Sequence, residues 1–357
     1  MNNDASFLVL FLAPVKDYLA DDKVSEILIN GPNQIYIERD GILQETDASF
    51  ASESQLKAAA VNIAKSVERQ LDEMHPDLDA RLPDGSRVHA TIPPISRCGT
   101  IISIRKFKKE MLTLEKLEEF GSVPHEGVLL LNAIVKLRKN TIVSGGTSSG
   151  KTSVLNSLSG LIPEKDRILV LEDASELQLQ QKHCVYFETR KPDKNGLGEF
   201  SIRDLLVASL RLRPDRLVIG EIRGGEALDL LQAMNTGHSG SMSTIHANTP
   251  VDALSRMETC SLMSGVDLPL VALRMQVASA VNCVVHTMRL SGGSRKIVEI
   301  AENMPLDHGE YRMQTLMRWQ TESIDSKGNA RGRFILGAKP TFAEDAKIMG
   351  LELPEYP

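Results

Sequence analysis

One octapeptide constrains this chain more than any other feature: Gly145-Gly146-Thr147-Ser148-Ser149-Gly150-Lys151-Thr152. The β-branched run Asn140-Thr141-Ile142-Val143-Ser144 precedes it, and the helix-like Ser153-Val154-Leu155-Asn156-Ser157-Leu158 follows. G-x-x-x-x-G-K-T between a strand and a helix is the pattern of a phosphate-binding loop. Glycines at 145, 146 and 150 let the backbone wrap so that several N–H groups converge on phosphate oxygens, and the helix adds the positive end of its dipole. Lys151 then reaches the β- and γ-phosphates, and the Thr152 hydroxyl holds Mg²⁺. The expected nucleotide-binding residues are therefore Gly145, Gly146, Thr147, Ser148, Ser149, Gly150, Lys151, Thr152 and Ser153. A glycine-rich turn matching by accident would lack both flanks.

At 357 residues the chain exceeds one typical domain, so two are expected. A net charge of −6 argues against a protein built to grip a nucleic-acid backbone. The densest basic run, Arg105-Lys106-Phe107-Lys108-Lys109, reads as a solvated strand end or linker. Cys98, Cys184, Cys260 and Cys283 lie far apart with no C-x-x-C pair, the spacing of reduced thiols rather than of a zinc knuckle, and no zinc is expected. The apolar run Phe7 to Leu12 is too short to span a bilayer and has no basic start, so membrane association is expected through a partner.

The periodicity of the chain changes twice. Glu26 to Ile29 and Gln34 to Glu38 alternate like strands joined by Asn30-Gly31-Pro32-Asn33. Leu56, Ala60, Ile63, Val67 and Leu71 then recur at helical spacing after an S-x-x-Q start at Ser52. A turn at 81–87 and strands at 88–92 and 100–105 complete a mixed α/β domain over residues 1–108. A linker over 109–122 follows, with a hinge expected near 108–122. Over 123–357, strands at 141–144, 168–171, 185–188 and 217–220 alternate with helices near 126–138, 151–160, 201–212, 224–235 and 250–263, the signature of a mainly parallel sheet with helices on its faces. From about residue 284 the pattern reads as a β-rich tail: a hairpin turning at Ser291-Gly292-Gly293-Ser294, then irregular polar chain with Gly328, Gly332 and Gly337.

Three clusters follow the loop. Glu172-Asp173-Ala174-Ser175-Glu176 brings three carboxylates to a strand's carboxyl end, where ligands sit in open α/β sheets. Arg213-Pro214-Asp215 leads through an apolar strand to Glu221 and Arg223. Thr236-Gly237-His238 to Thr244-Ile245-His246-Ala247 places two histidines eight residues apart. Phosphoryl transfer needs a cradle, a metal holder, a water positioner and positive charge. Lys151, Glu176 and Glu221 are the candidate catalytic residues. Thr152, Glu221 and Glu172 are candidate metal holders, Glu176 or Glu172 orients water, and His238 and His246 are candidate phosphate or interface sensors.

The order of these four boxes resembles the secretion ATPases of type II and type IV secretion and type IV pili. The phrases Ala20-Asp21-Asp22-Lys23-Val24-Ser25-Glu26-Ile27, Asn30-Gly31-Pro32 and Ala80-Arg81-Leu82-Pro83-Asp84-Gly85-Ser86-Arg87 look most like the tight-adherence (Tad/Flp) pilus branch. The resemblance runs from about residue 15 to 345. It implies a RecA-like P-loop domain preceded by a smaller α/β domain, with ATP and Mg²⁺ as ligands. It also implies a homohexamer in which one subunit's nucleotide meets arginines from an N-terminal domain, matched here by Arg81, Arg87 and Arg105. Guanidinium suits that work because it forks onto phosphate oxygens and stays charged. The partners implied are inner-membrane platform proteins of a pilus or secretion machine, at the cytoplasmic side of a bacterial inner membrane, with no nucleic acid. Ser148 stands where relatives often have glycine, and Ala174 where they often have threonine; activity is expected to survive both. A type IV secretion ATPase or a pilus retraction motor is the alternative of the same chemistry. A nucleic-acid translocase or a non-hydrolysing scaffold is the alternative of another class.

Overall fold

In the computed structural model, which describes residues 11–39, 41–82, 84–106, 112–192 and 196–356, the chain divides into two units, Met1–Glu110 and Met111–Pro357. Phe7 to Leu10, Pro83, the Phe107-Lys108-Lys109 stretch and residues 108–111 of the expected hinge lie outside the described residues. Among those described, no helix is long and apolar enough to cross a membrane.

The first unit begins with a short helix, Lys16–Ala20 (α1), and strands Val24–Asn30 (β1), Ile35–Arg39 (β2) and Ile42–Glu45 (β3). Helix Glu53–Ser66 (α2) and strands Asp77–Arg81 (β4), Arg87–Thr91 (β5) and Ile101–Arg105 (β6) follow. The strands form one antiparallel sheet in the order β3-β2-β1-β6-β5-β4. Period-two alternation sends Ile27, Ile29, Val88, Ala90, Ile102 and Ile104 to one face, where they bury against Leu56, Ala60 and Ile63 of α2. Ser52 caps α2 by accepting the Gln55 N–H at 3.2 Å. The helix ends at Ser66 rather than running to Leu71, because Glu68 turns left-handed at φ 56° and the Arg69 N–H returns to Ala64 O at 2.8 Å. Leu71 still reaches the core from the loop.

The second unit opens with helices Leu114–Glu119 (α3) and His125–Lys136 (α4), strand Thr141–Gly145 (β7) and helix Lys151–Ser159 (α5). Strands Ile168–Glu172 (β8) and Cys184–Glu188 (β9), helix Ile202–Ser209 (α6), strand Arg216–Ile222 (β10), helix Glu226–Asn235 (α7) and strand Met242–His246 (β11) come next. Helices Pro250–Leu262 (α8) and Leu270–Ala280 (α9) lead to strands Cys283–Arg289 (β12), Arg295–Asp307 (β13), Glu310–Ile324 (β14) and Ala330–Leu336 (β15). The last helix is Ala343–Ile348 (α10). One nine-stranded sheet runs β15-β14-β13-β12-β7-β11-β10-β8-β9. The six strands from β12 to β9 in that order are parallel to their neighbours, and β13 to β15 add antiparallel to β12. Successive residues of the central strands face opposite layers. Val143, Val170 and Val218 pack on α4 and α5, while Ile142, Leu169 and Leu217 pack on α6 to α9. A mainly parallel sheet with helices on both faces, preceded by a smaller α/β unit, is the expected fold class.

The expectation of an irregular chain beyond the 291–294 turn is corrected. Residues 310–324 and 330–336 are long strands, and β12 lies beside β7, so this region continues the central sheet. Its glycines misread as coil because they answer packing: a Cβ on Gly332 would lie 2.0 Å from Gln320 O, and one on Gly337 2.1 Å from Thr315 O.

Candidate nucleotide-binding site

β7 is buried along its whole length and delivers Gly145 to the carboxyl edge of the sheet. A Cβ there would lie 2.4 Å from Thr287 O and 2.5 Å from Ser149 Oγ, so only glycine lets the loop leave the strand this closely. Gly150 caps α5 at φ 98°, and Ser148 holds φ 57°, a conformation that costs a residue with a Cβ about 1–2 kcal/mol. Ser149 Oγ donates to Gly146 O at 2.9 Å and pairs with Thr287 Oγ1 at 2.8 Å; Thr287 Oγ1 also lies 3.0 Å from Ser144 O. His286, the residue before Thr287, is buried, and its Nδ1 lies 2.8 Å from Ser144 Oγ. Burial holds the His286 imidazole below its ordinary pKa, against a hydrogen bond to the Asn248 backbone, so it serves as a neutral strut.

Lys151 donates to Gly145 O at 3.1 Å and Gly146 O at 2.9 Å, with His246 Nδ1 at 3.3 Å. His246 Nε2 lies 3.0 Å from Glu221 Oε1, and the other Glu221 oxygen pairs with the Arg223 guanidinium, which reaches Asp173 at 3.6 Å. One tautomer satisfies this chain: Nε2–H donates to Glu221 and Nδ1 accepts from Lys151. Burial, and then the Lys151 charge, push the His246 pKa down, which keeps the ring neutral. Burial likewise lowers the Lys151 pKa, and Glu221 opposes it. The chain Lys151–His246–Glu221–Arg223–Asp173 thus crosses the carboxyl ends of neighbouring strands and joins residues from all four sequence boxes.

Glu172 is engaged by its own loop. It is 3% exposed, and its Oε1 accepts the backbone N–H groups of Glu176 and Leu177, both at 2.9 Å. Burial raises its pKa to about 7 despite those two bonds. A carboxyl turned onto its own loop is a clasp for the 173–177 segment. Glu176 stays beside it, close enough for its charge to raise the Glu172 pKa further. Thr152 and Ser153 lie half-buried in the first turn of α5, and Thr147 is exposed at the loop tip.

His238 is not brought to the loop. It precedes β11, with Nδ1 3.3 Å from Ala233 O, while His246 ends that strand opposite Gly145. At that far edge Arg216, fully buried, binds Asp166 at 3.0 Å and Gly240 O at 3.2 Å, and Arg138 binds the other Asp166 oxygen at 2.7 Å. This cluster ties β10, β11 and α4 together. In the first unit, Arg81 pairs across the strands with Arg87, Arg87 with Arg105, and Arg105 with Glu26. Directly opposed residues share a face, so the three arginines form one lateral row on the side away from the core. Arg105 Nε donates to Glu26 at 2.8 Å, and Arg81 Nε to Gly85 O at 3.2 Å.

Comparison with known proteins decides what carries this geometry. The model of the family described as "Type II/IV secretion system protein" matches residues 11–335. The chain belongs to that family. It is 34% identical over 310 residues, 85% of this chain and 87% of the other, to a putative conjugal transfer protein of Mycobacterium tuberculosis. It is 30% identical over 335 residues, 84% of this chain and 94% of the other, to the type IV secretion system protein VirB11 of Bartonella quintana. Among solved structures, the Legionella pneumophila ATPase DotB covers 86% of this chain and 80% of its own, with TM-score 0.57 and 18% identity, a likeness of fold.

Within this secretion-family member, sequence reasoning missed Thr287, His286 and Arg295, whose Nε donates to Ser148 O at 2.9 Å. A phosphate loop must be braced by the strand beside its own, and β12 takes that place in the sheet. Nothing in the local pattern of 283–295 names that neighbour.

Proposed function

We propose that this secretion-family protein hydrolyses MgATP as a motor of pilus assembly or secretion. The observation that carries the reading is the bridge from Lys151 through His246 to Glu221 at the mouth of the loop. Lys151 exchanges the Gly145 and Gly146 carbonyls for β- and γ-phosphate oxygens. His246 Nδ1 thereby loses its donor, and the ring's hold on Glu221 Oε1 changes with it. Mg²⁺, whose site is built from hard oxygen donors, would be held by the Thr152 hydroxyl and Glu221 and would neutralise phosphate charge. Glu176, fixed by the Glu172 clasp, orients the attacking water.

The rest of the reading is an assembly. Six subunits form a ring, and the row of Arg81, Arg87 and Arg105 of one subunit completes the site of the next. Nucleotide binding closes one domain on the other about a hinge near 108–122. The ring works at the cytoplasmic face of a bacterial inner membrane on platform proteins of a Tad-like or type IV-like machine. The names of the relatives favour type IV secretion or conjugal transfer as a second assignment of the same motor. His238 keeps a place only in a subunit interface.

Phosphate release with Lys151→Ala and Glu221→Gln tests the chemistry. The first should lose nucleotide binding, and the second should bind MgATP with turnover reduced by about 100-fold or more. Turnover equal to the parent's in both would leave a scaffold, and stimulation by single-stranded DNA would favour a translocase.

A further inference from the structure

The tip of the phosphate loop carries a residue in the wrong conformation for its type. Ser148 holds φ 57°, where glycine is at ease and serine is not. Something must hold it there, and Arg295 is placed to do so. Its Nε donates to Ser148 O at 2.9 Å, and its Cδ lies 3.5 Å from where a Cβ on Gly150 would stand, an ordinary packing distance, so the side chain lies alongside the loop.

Arg295 is itself anchored. The next residue, Lys296, sits over the Trp319 ring at 4.4 Å and the Phe334 ring at 5.5 Å and donates to Gly121 O at 2.6 Å; the Ile297 N–H donates to Ser122 O at 2.9 Å. The start of β13 is therefore fixed from the side opposite the loop.

A trans peptide points its C=O and its N–H in opposite directions. Drawing the Ser148 carbonyl toward Arg295 consequently fixes the Ser149 N–H away from it. The Ser149 side chain is pinned independently by Gly146 O and Thr287. Both ends of that peptide are thus set before any ligand arrives.

We infer that Arg295 is a positioning residue of the phosphate loop, holding the 148–149 peptide in its anion-facing orientation against the conformational preference of Ser148. The inference rests on the nucleotide-binding reading above. It predicts an energetic coupling: once residue 148 is glycine, the left-handed conformation needs no external hold, and Arg295 matters less.

The test is a double-mutant cycle in the full chain, with MgADP titrated calorimetrically into the parent, Arg295→Gln, Ser148→Gly and the double variant. Arg295→Gln should weaken binding about ten-fold in the parent background, as expected for one lost charge-assisted hydrogen bond. In the Ser148→Gly background the loss should shrink to about two-fold. With ATP varied up to saturation, KM should rise in Arg295→Gln while kcat holds, because the cradle acts on bound phosphate before the chemical step. Melting temperatures of all four proteins separate this from a folding defect. An equal loss in both backgrounds would mean that Arg295 acts through its charge alone and would overturn the inference, as would no loss in either. If the parent fails to bind MgADP, the nucleotide-binding reading falls, and the inference with it.

Discussion

Glu172→Gln should stabilise this protein at alkaline pH and leave it unchanged in acid, the reverse of what removing a hydrogen-bonded carboxylate usually does. Burial raises the Glu172 pKa from its ordinary 4.5 to about 7. Between those values the native protein holds a proton that the unfolded chain has released. Stability from this group is therefore complete below pH 4.5 and is lost as pH rises through 7. The difference corresponds to about 3 kcal/mol. Glutamine keeps an oxygen for the Glu176 and Leu177 N–H groups and cannot ionise, so it escapes the loss. At roughly 2–4 °C per kcal/mol for a unit of this size, the variant should melt about 6–12 °C above the parent at pH 8 and within about 2 °C of it at pH 4.5. Calorimetric melts of both proteins at the two pH values measure it, and groups common to both cancel in the difference. An equal offset at the two pH values, or a parent more stable than the variant at pH 8, would refute the argument that desolvation dominates at Glu172.

Other expectations follow from contacts at named atoms. Gly240→Ala places a Cβ 1.8 Å from Arg216 Nη1 at φ 82°, disrupting a buried charge cluster, and should cost about 3 kcal/mol or more in denaturant unfolding; a loss below about 1 kcal/mol would show that the turn relaxes freely. Thr287→Val removes the hydroxyl bridging Ser144 O and Ser149 Oγ and should cost about 1–2 kcal/mol, with weaker nucleotide binding as the sign that the brace serves the loop. The His246 pKa is depressed, so the ring takes its proton only below its ordinary 6.5; hydrolysis should fall on that acid side, and His246→Gln should remove that limb of the pH profile. A limb unchanged in the variant would assign it to another group.

The loop, the strands that flank it and the carboxylates at strand ends were legible because each depends on local pattern: glycines at fixed offsets, apolar runs, a charge closing a run. Lateral relations were not. His238 and His246 look alike in the sequence, but the five residues of β11, at about 3.3 Å each, carry them to opposite edges of the sheet. Arg81, Arg87 and Arg105 come from separate phrases, and only cross-strand register reveals them as one row. The clasp made by Glu172 was hidden for the same reason, since neither its burial nor the bonds from 176 and 177 is visible in Glu-Asp-x-x-Glu. Residues beyond 284 read as tail because glycines at 332 and 337 mimic coil, while in space they admit a neighbouring strand.

In the proposed assembly a complete site needs more than one copy of this chain. Mg²⁺-dependent ATP hydrolysis measured against protein concentration, with mass determined in the same samples and Glu221→Ala as control, tests it directly. Turnover per subunit should rise as a hexamer forms and be absent in the variant. Constant turnover in a monomer would contradict it and would remove Arg81, Arg87 and Arg105 from the site.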